Sequence, residues 1–501
     1  MPSTLRPLAR GLLIAAVVLF ASTTPARADL VQLKPGAGDR LVRRAHGTEL
    51  VRELRIWRVQ AAAVARLRRA GVVGHSQPER LLVKTRAATE ATDPLVPTEW
   101  WRAVIGADRV EAPGPGKPVT IVDSGLDITH PEFATRPNTI LMNSQTTTEE
   151  DEDHGTEVSS VVGAPNNGFG IVGVYPEAVL RIWDASPFGI LNEGAAIQGI
   201  AEAARAGPGV INLSFGGEDE DPLLKDAVMF AYRSGSLVVA AAGNEGLEGS
   251  PTGYPAAYPH VLTIGATNES GRVATFSTIA PTVDLVAPGV RIPVAEPVAQ
   301  EPSGYLEVPG TSFSSPLVAG AAAWVWTTRP DLDNTQLFEL MRRSAADIGE
   351  PGFDNASGYG LLNIPNALSF RTPARDPQEP NEDPAQIEPH GLFAAGTQPL
   401  NGPGHLGSFL TAHIDRSEDP LDLYRAWAPA HIVLRARTTG AVRVRLLARA
   451  PAKAKTPPLA VGKGGVAAYR NSTSRGAYVY VEVRPAGRAV AYTLRLTAAR
   501  R

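Results

Sequence analysis

Cysteine is absent from all 501 residues, which excludes disulfides and any thiolate chemistry. An exported chain without disulfides has to draw its stability from a large core or from bound metal. Long apolar runs are missing too. After the first 28 residues no stretch is long and apolar enough to span a bilayer. Basic residues are scarce in the middle of the chain: residues 94–370 hold 13 Lys and Arg against 34 Asp and Glu, whereas residues 29–93 hold 13 against 7 and residues 371–501 hold 19 against 10. So acidic a centre would repel phosphates, which argues against a nucleic-acid partner there. The same asymmetry lets a basic N-terminal segment be steered onto the acidic centre.

What is present begins with an export signal. Arg6 and Arg10 precede the short apolar run GLLIAAVVLFA, and ARA ends at Ala28. This reads as a signal peptide, residues 1–28, cleaved after Ala28, and as a secreted protein. Residues 29–93 read as a small α+β unit and a linker. TELVRELRIWRV alternates like a strand, AAAVARLRRAG is a helix ending at Gly71, and turn formers dominate AATEATDPLVPTE. From 94 to 370, apolar runs of strand length (VTIVDSG, AVLRIWDA, GVINLSFGG, LVVAAAGN, HVLTIGAT) alternate with the helix-like NEGAAIQGIAEAARAG and DPLLKDAVMFAYRSG. Continuous apolar strands separated by helices imply a mostly parallel sheet covered on both faces, an α/β domain. Its ligands would sit beyond the carboxyl ends of the strands, where DSG, SFGG and GNEG fall. Residues 371–400 read as a Pro- and acid-rich linker, and residues 401–501, with period-two runs and no helix signal, as an antiparallel β-sandwich.

Four loops of the α/β region carry chemistry-bearing side chains. Asp123 ends the run VTIVD, His154 precedes a helix of small residues, Asn244 follows LVVAAAG, and VPGTSFSSPLVAG holds Ser312, Ser314 and Ser315 at a helix start. A helix start favours a developing anion, because its first N–H groups lack partners. Each residue alone has a bland reading: a strand-end cap, a structural His, a turn Asn, small packing serines. Together they supply a hydroxyl, a base, an orienting carboxylate and an oxyanion donor, the set that acyl transfer by serine requires.

These motifs, in the order Asp, His, Ser over residues 95–370, resemble the subtilisin-like serine proteases, the subtilases. The resemblance implies a three-layer α/β/α catalytic domain, preceded by a small α+β prodomain and followed by the sandwich. It implies a secreted serine endopeptidase, extracellular or wall-associated, that acts on proteins or peptides and needs no cofactor for catalysis; the high usage of Arg, Ala, Pro and Gly points to a GC-rich bacterial genome. Ser312 would be the nucleophile, His154 the general base, Asp123 its orienting acid and Asn244 the side-chain oxyanion donor. Ser214, Phe215 and Gly216 in INLSFGG would pair with substrate backbone. Tyr254 and Pro255 in GYPAAYP would flank the specificity pocket, with Pro255 cis.

The resemblance also implies that residues 29–93 form an inhibitory propeptide, a partner of the enzyme until cut away between Arg86 and Thr98. APNNGFGIVG resembles a loop that wraps structural Ca²⁺, which would be held by Glu132, Asn167, Pro165, Phe169 and Ile171; a metal-free Asn-Gly turn is the other reading. Where relatives carry HGTH, this chain has Glu157, read as a surface carboxylate rather than a modulator of the imidazole. The run Glu149–Asp153 reads as a solvated loop or as a selector of Lys and Arg in the substrate. EPN and Asp422, Tyr424 and Arg425 resemble a pre-peptidase C-terminal domain.

Overall fold

The computed structural model describes residues 28–34, 36–51, 55–78, 93–143, 153–186, 190–448 and 457–499. The apolar signal run and Glu149–Glu152 lie outside these residues, as does most of the stretch proposed for propeptide cleavage. The chain divides into two compact units, Met1–Glu90 and Ala91–Arg501.

The first unit contains β1 (Ala28–Leu33), α1 (Arg40–Arg44), β2 (Thr48–Val51), β3 (Ile56–Gln60), α2 (Ala61–Arg69) and β4 (Val73–Pro78). The single strand expected across residues 48–59 is two strands, β2 and β3, paired antiparallel. The sheet order is β2-β3-β1-β4. Val31, Trp57 and Val59 from the strands bury against Val64 and Leu67 on one face of α2, the three-residue spacing that puts two side chains on one side of a helix.

The second unit opens with α3 (Trp101–Ile105) and builds a sheet from β5 (Pro118–Asp123), β6 (Thr139–Leu141), β7 (Val179–Asp184), β8 (Val210–Leu213), β9 (Leu237–Ala241), β10 (Val261–Thr267) and β11 (Leu285–Pro288). The seven strands run parallel in the order β11-β10-β9-β8-β5-β7-β6. Every residue of β5, β8, β9, β10 and β11 is buried, which is why these segments read as unbroken apolar runs. α4 (His154–Gly163) and α7 (Thr311–Thr328) cover one face; α5 (Glu193–Arg205) and α6 (Pro222–Arg233) cover the other. Asn192 and Asp221 cap α5 and α6 through their side-chain oxygens, as their positions before the apolar pattern imply. The hairpin of β12 (Ile292–Ala295) and β13 (Tyr305–Val308) lies beside α4, and α8 (Asn334–Arg343) and α9 (Ile364–Ser369) follow α7.

The Pro- and acid-rich stretch 371–400 is packed rather than strung out. It carries the short α10 (Pro384–Ile387) and buries Glu379, Asn381 and Ile387. The sandwich then pairs β14 (Ser408–Asp415), β15 (Asp422–Ala428), β16 (Val433–Thr439), β17 (Val442–Leu447), β18 (Ala460–Val461), β19 (Val466–Arg470), β20 (Ala477–Pro485) and β21 (Ala489–Ala499) into two antiparallel sheets, β14-β21-β16-β19 and β15-β20-β17-β18. Tyr424, Leu434, Val481 and Leu494 lie in the core between them.

Candidate active site

β5 delivers Asp123 at its carboxyl end, fully buried. His154 is the first residue of α4, and its Nδ1 lies 2.8 Å from Asp123 Oδ1. Ser124 N–H donates to the same oxygen at 2.8 Å, so the carboxylate is held from two sides. The close approach depends on Gly155: a Cβ there would stand 2.2 Å from the carbonyl oxygen of Gly125. Gly155 N–H donates to Ser124 Oγ at 2.8 Å, which fixes the start of α4 over the end of β5.

The three serines of α7 separate cleanly. Ser314 Oγ donates to the Ala287 and Pro288 carbonyls at 3.1 Å each, and Ser315 Oγ donates to Asn212 Oδ1 at 2.7 Å; both residues are fully buried. Ser312 alone among them reaches the surface. Its hydroxyl donates to the Ser214 carbonyl at 3.2 Å, while Ser214 Oγ donates back to the Ser312 carbonyl at 2.8 Å. The ring of the next residue, Phe313, sits 5.8 Å from the His154 ring, centroid to centroid. The imidazole and the start of α7 therefore share one surface.

Asn244, just beyond β9, is oriented by a residue that sequence reasoning missed. Thr311 donates to Asn244 Oδ1 from both its N–H (2.9 Å) and its hydroxyl (3.0 Å). A backbone N–H can only donate, so it fixes which end of the amide faces Thr311 and leaves Nδ2 free to donate elsewhere. Asn244 and Ser312 line a cavity of about 390 Å³, together with Ser214, Phe215, Gly216 and Tyr254. A neighbouring cavity of about 320 Å³ shares Phe215, Gly216 and Tyr254. Gly217 and Tyr254 exchange backbone hydrogen bonds at 2.9 and 2.8 Å, and the Tyr254–Pro255 peptide is cis. Glu218 and Glu245 line the first cavity; Glu193, Glu218, Asp219 and Asp221 line the second.

Glu157 is not a surface carboxylate. It is 7% exposed, because α4 presents this face to the β12 hairpin; on the same helix Ser160 Oγ accepts from Ala295 N–H at 2.9 Å. Burial pushes the Glu157 carboxyl up to about 8, against the pull of His154 and aided by Glu296 and Asp153. Glu296, pushed by burial and then by Asp153, stands at about 7, with a hydrogen bond from Glu157 drawing it down. For His154 burial pulls downward, but the Asp123 carboxylate overrides it and, with Glu157 and Asp153, holds the imidazole at about 9.

The loop expected to hold calcium is tied together by hydrogen bonds. Glu132 is fully buried, yet its Oε1 accepts from Ile171 N–H and from the Tyr305 hydroxyl, both at 3.0 Å, and its Oε2 accepts from Asn167 Nδ2 at 3.3 Å. Asn167 Oδ1 accepts from Phe169 N–H at 2.9 Å. Asp93 accepts from the N–H groups of Asn167 and Gly168 at 3.2 and 2.6 Å. Of the expected ligands, Glu132 and Asn167 thus have their side-chain oxygens engaged by N–H and O–H donors, and Pro165, Phe169 and Ile171 stand in the same loop. Tyr305, 173 residues beyond Glu132, closes the loop. Among the described residues, the acidic groups spaced for a metal lie elsewhere, at His260, Glu379 and Glu382 and at Asp376, Glu379 and Asp419.

Comparison with known proteins matches residues 114–360 to the model of the subtilase family. Subtilisin NAT of Bacillus subtilis subsp. natto is 35% identical over 273 residues, covering 52% of this chain and 69% of that protein. Subtilisin of Bacillus pumilus is 34% identical over 273 residues, 52% of this chain and 96% of that protein. A solved structure of the psychrophilic subtilisin-like protease Apa1 from an Antarctic Pseudoalteromonas shares 19% identity, with a TM-score of 0.48 over 54% of this chain and 97% of that one.

Proposed function

The chain belongs to the subtilase family of serine endopeptidases, and from that premise we propose that Ser312, His154 and Asp123 form its catalytic triad, with Asn244 as oxyanion donor. The observation that carries the assignment is the 2.8 Å contact from His154 Nδ1 to Asp123 Oδ1 on the surface that also exposes Ser312. The contact to Asp123 engages Nδ1 and leaves Nε2 to act as base. Ser312 Oγ turns from the Ser214 carbonyl toward Nε2, loses its proton to it and bonds to the peptide carbonyl carbon. The carbonyl oxygen takes the negative charge and receives Asn244 Nδ2–H and Ser312 N–H, a group in the first turn of α7 that has no acceptor within the helix. The imidazolium, steadied by Asp123, returns the proton to the leaving amine as the C–N bond breaks. Water then hydrolyses the acyl-enzyme by the same route.

Substrate backbone would add to Ser214, Phe215 and Gly216. Glu245 and Glu218 in one cavity and Glu193, Asp219 and Asp221 in the other favour Lys or Arg side chains on the acyl side of the scissile bond. The chain is made for export, and residues 29–93 act as a propeptide that the enzyme itself removes. Their separate α+β core and basic excess support this reading.

Fluorophosphonate labelling of the purified protein, with the modified peptide mapped by mass spectrometry, tests the assignment. The expected label is on Ser312, and Ser312→Ala loses both the label and propeptide removal. Absence of label on wild-type protein freed of residues 29–93 would overturn it.

A further inference from the structure

Of the ten acidic residues in 371–501, nine fall between Asp376 and Asp422, although this region is basic overall. The fold gathers most of them into one place. The packed stretch 376–382 and the sandwich turn 415–422 meet His260, which precedes β10, and Tyr232 on α6. Between them lies a cavity of about 30 Å³ lined by Asp376, Glu379, Asp419, Tyr232 and His260, room for about one water-sized occupant. Glu379 and Asp419 are 8% and 7% exposed.

The carboxylates around it are short of partners. Asp376 Oδ1, Asp419 Oδ1 and Asp422 Oδ1 accept no hydrogen bond, and Glu379 Oε2 accepts none either, His260 Nε2 standing 3.4 Å away. The other oxygens are engaged: Asp376 Oδ2 by His413 N–H at 2.8 Å, Glu379 Oε1 by Asn381, Asp422 Oδ2 by Tyr492, and Glu382 Oε1 by His260. The free oxygens are thus the ones left over after each side chain has been oriented. Arg342 gives no relief, because its guanidinium already serves Asp284, Glu339 and Asp415 at 2.8, 2.5 and 3.1 Å. Arg233 donates to backbone carbonyls of Gln378, Glu379 and Gly396 instead. Burial first, and then mutual repulsion, pushes Asp376, Glu379 and Asp419 well above the ordinary carboxylate range. A buried group of this kind is costly unless a counter-charge is present.

One oxygen each of Asp376, Glu379 and Asp419 lies within 4.8 Å of the other two. Three carboxylates offer an all-oxygen, negatively charged donor set, the kind that flexible Ca²⁺ coordination takes, whereas Mg²⁺ keeps several waters and is seldom caged by protein alone. We propose that Asp376, Glu379 and Asp419 bind a calcium ion that ties the C-terminal sandwich to the catalytic domain, with Asp422 and the His260–Glu382 pair flanking it. The site is separate from the Glu132 loop and shares no residue with it.

The test uses the full chain carrying Ser312→Ala, to keep it intact, stripped with EDTA and dialysed into metal-free buffer. Calorimetric titration with CaCl₂ should show a site with Kd at or below about 10⁻⁴ M. The temperature of thermal unfolding should rise by about 1–2 °C in 1 mM Ca²⁺. Adding Glu379→Gln and Asp419→Asn should remove one equivalent of Ca²⁺ and the stabilisation with it. Because those changes could impair folding, a crystal of the otherwise unaltered chain grown in CaCl₂ provides a second reading, an anomalous-scattering peak between Asp376, Glu379 and Asp419. No binding below about 1 mM, binding that persists in the double variant, tighter binding of Zn²⁺ than of Ca²⁺, or a crystal without that peak would each overturn the proposal.

Discussion

Replacing Glu157 by Gln should move the acid limb of the pH–rate profile to lower pH. Glu157 lies one helical turn after His154, where side chains stand about 5–6 Å apart at Cβ. An ionised carboxylate there favours the imidazolium and so raises the pH at which His154 becomes a free base; removing the charge must lower it. The imidazole side chain is 30% exposed, so an effective dielectric constant of about 40, between interior and water, is appropriate. At about 6 Å that is roughly 1.4 kcal/mol, or one pH unit. Glu157 titrates at about 8 and His154 at about 9, so the carboxylate is largely ionised where the imidazole loses its proton. With the limb moved from about 9 to about 8, the neutral fraction of His154 at pH 8 rises about fivefold. Gln can still donate to Glu296. The removal of a neighbouring charge lets Glu296 ionise more easily and returns part of the effect, so the Glu157→Gln/Glu296→Gln pair should show the larger shift. The assay is kcat/KM for a peptide p-nitroanilide from about pH 6 to 11 at constant ionic strength. Rates should converge above about pH 10, where both proteins hold neutral His154. A limb that stays in place, or that moves upward, would refute the electrostatic reasoning.

Asn244→Ala should lower kcat by about 10²- to 10³-fold with little change in KM, the magnitude typical of losing one oxyanion donor in proteases of this family; steady-state kinetics on the same substrate checks it. Thr311→Val should lower kcat in the same direction by a smaller factor, because Asn244 keeps the backbone donor but loses the hydroxyl that also holds Oδ1. Glu245→Gln should reduce kcat/KM for a substrate with Lys at the residue preceding the scissile bond by several-fold relative to one with Leu, measured as a ratio so that general losses cancel. Arg342→Ala should cost about 3–5 kcal/mol of stability, since it leaves Asp284, Glu339 and Asp415 buried without their shared cation; denaturant unfolding, or thermal inactivation where unfolding is irreversible, reads the loss.

The parts of the fold legible in the sequence are those set by short-range pattern. β5, β8, β9 and β10 announce themselves because burial on both faces demands apolar residues at every position. Asp123, His154, Asn244 and Ser312 are readable because each stands where a regular element meets a loop, so a local motif marks it. Glu157 was not readable: the inward face of α4 is decided by the β12 hairpin, more than 130 residues later. Tyr305 reaches Glu132 from 173 residues away, so the stretch APNNGFGIVG alone cannot say whether donors or a cation face the carboxylate. The acidic stretch from Asp376 to Glu382 is the sharpest case. Its Pro and acid content is that of a solvated linker, and composition averages over exactly the residues whose partners matter. Glu379 is buried because His260 and the turn at Asp419 close over it. A charge that local pattern assigns to water is therefore carried inside, and a buried charge needs a counter-charge. The clustering of unpartnered carboxylate oxygens is a consequence of tertiary packing that only the assembled catalytic domain and sandwich reveal.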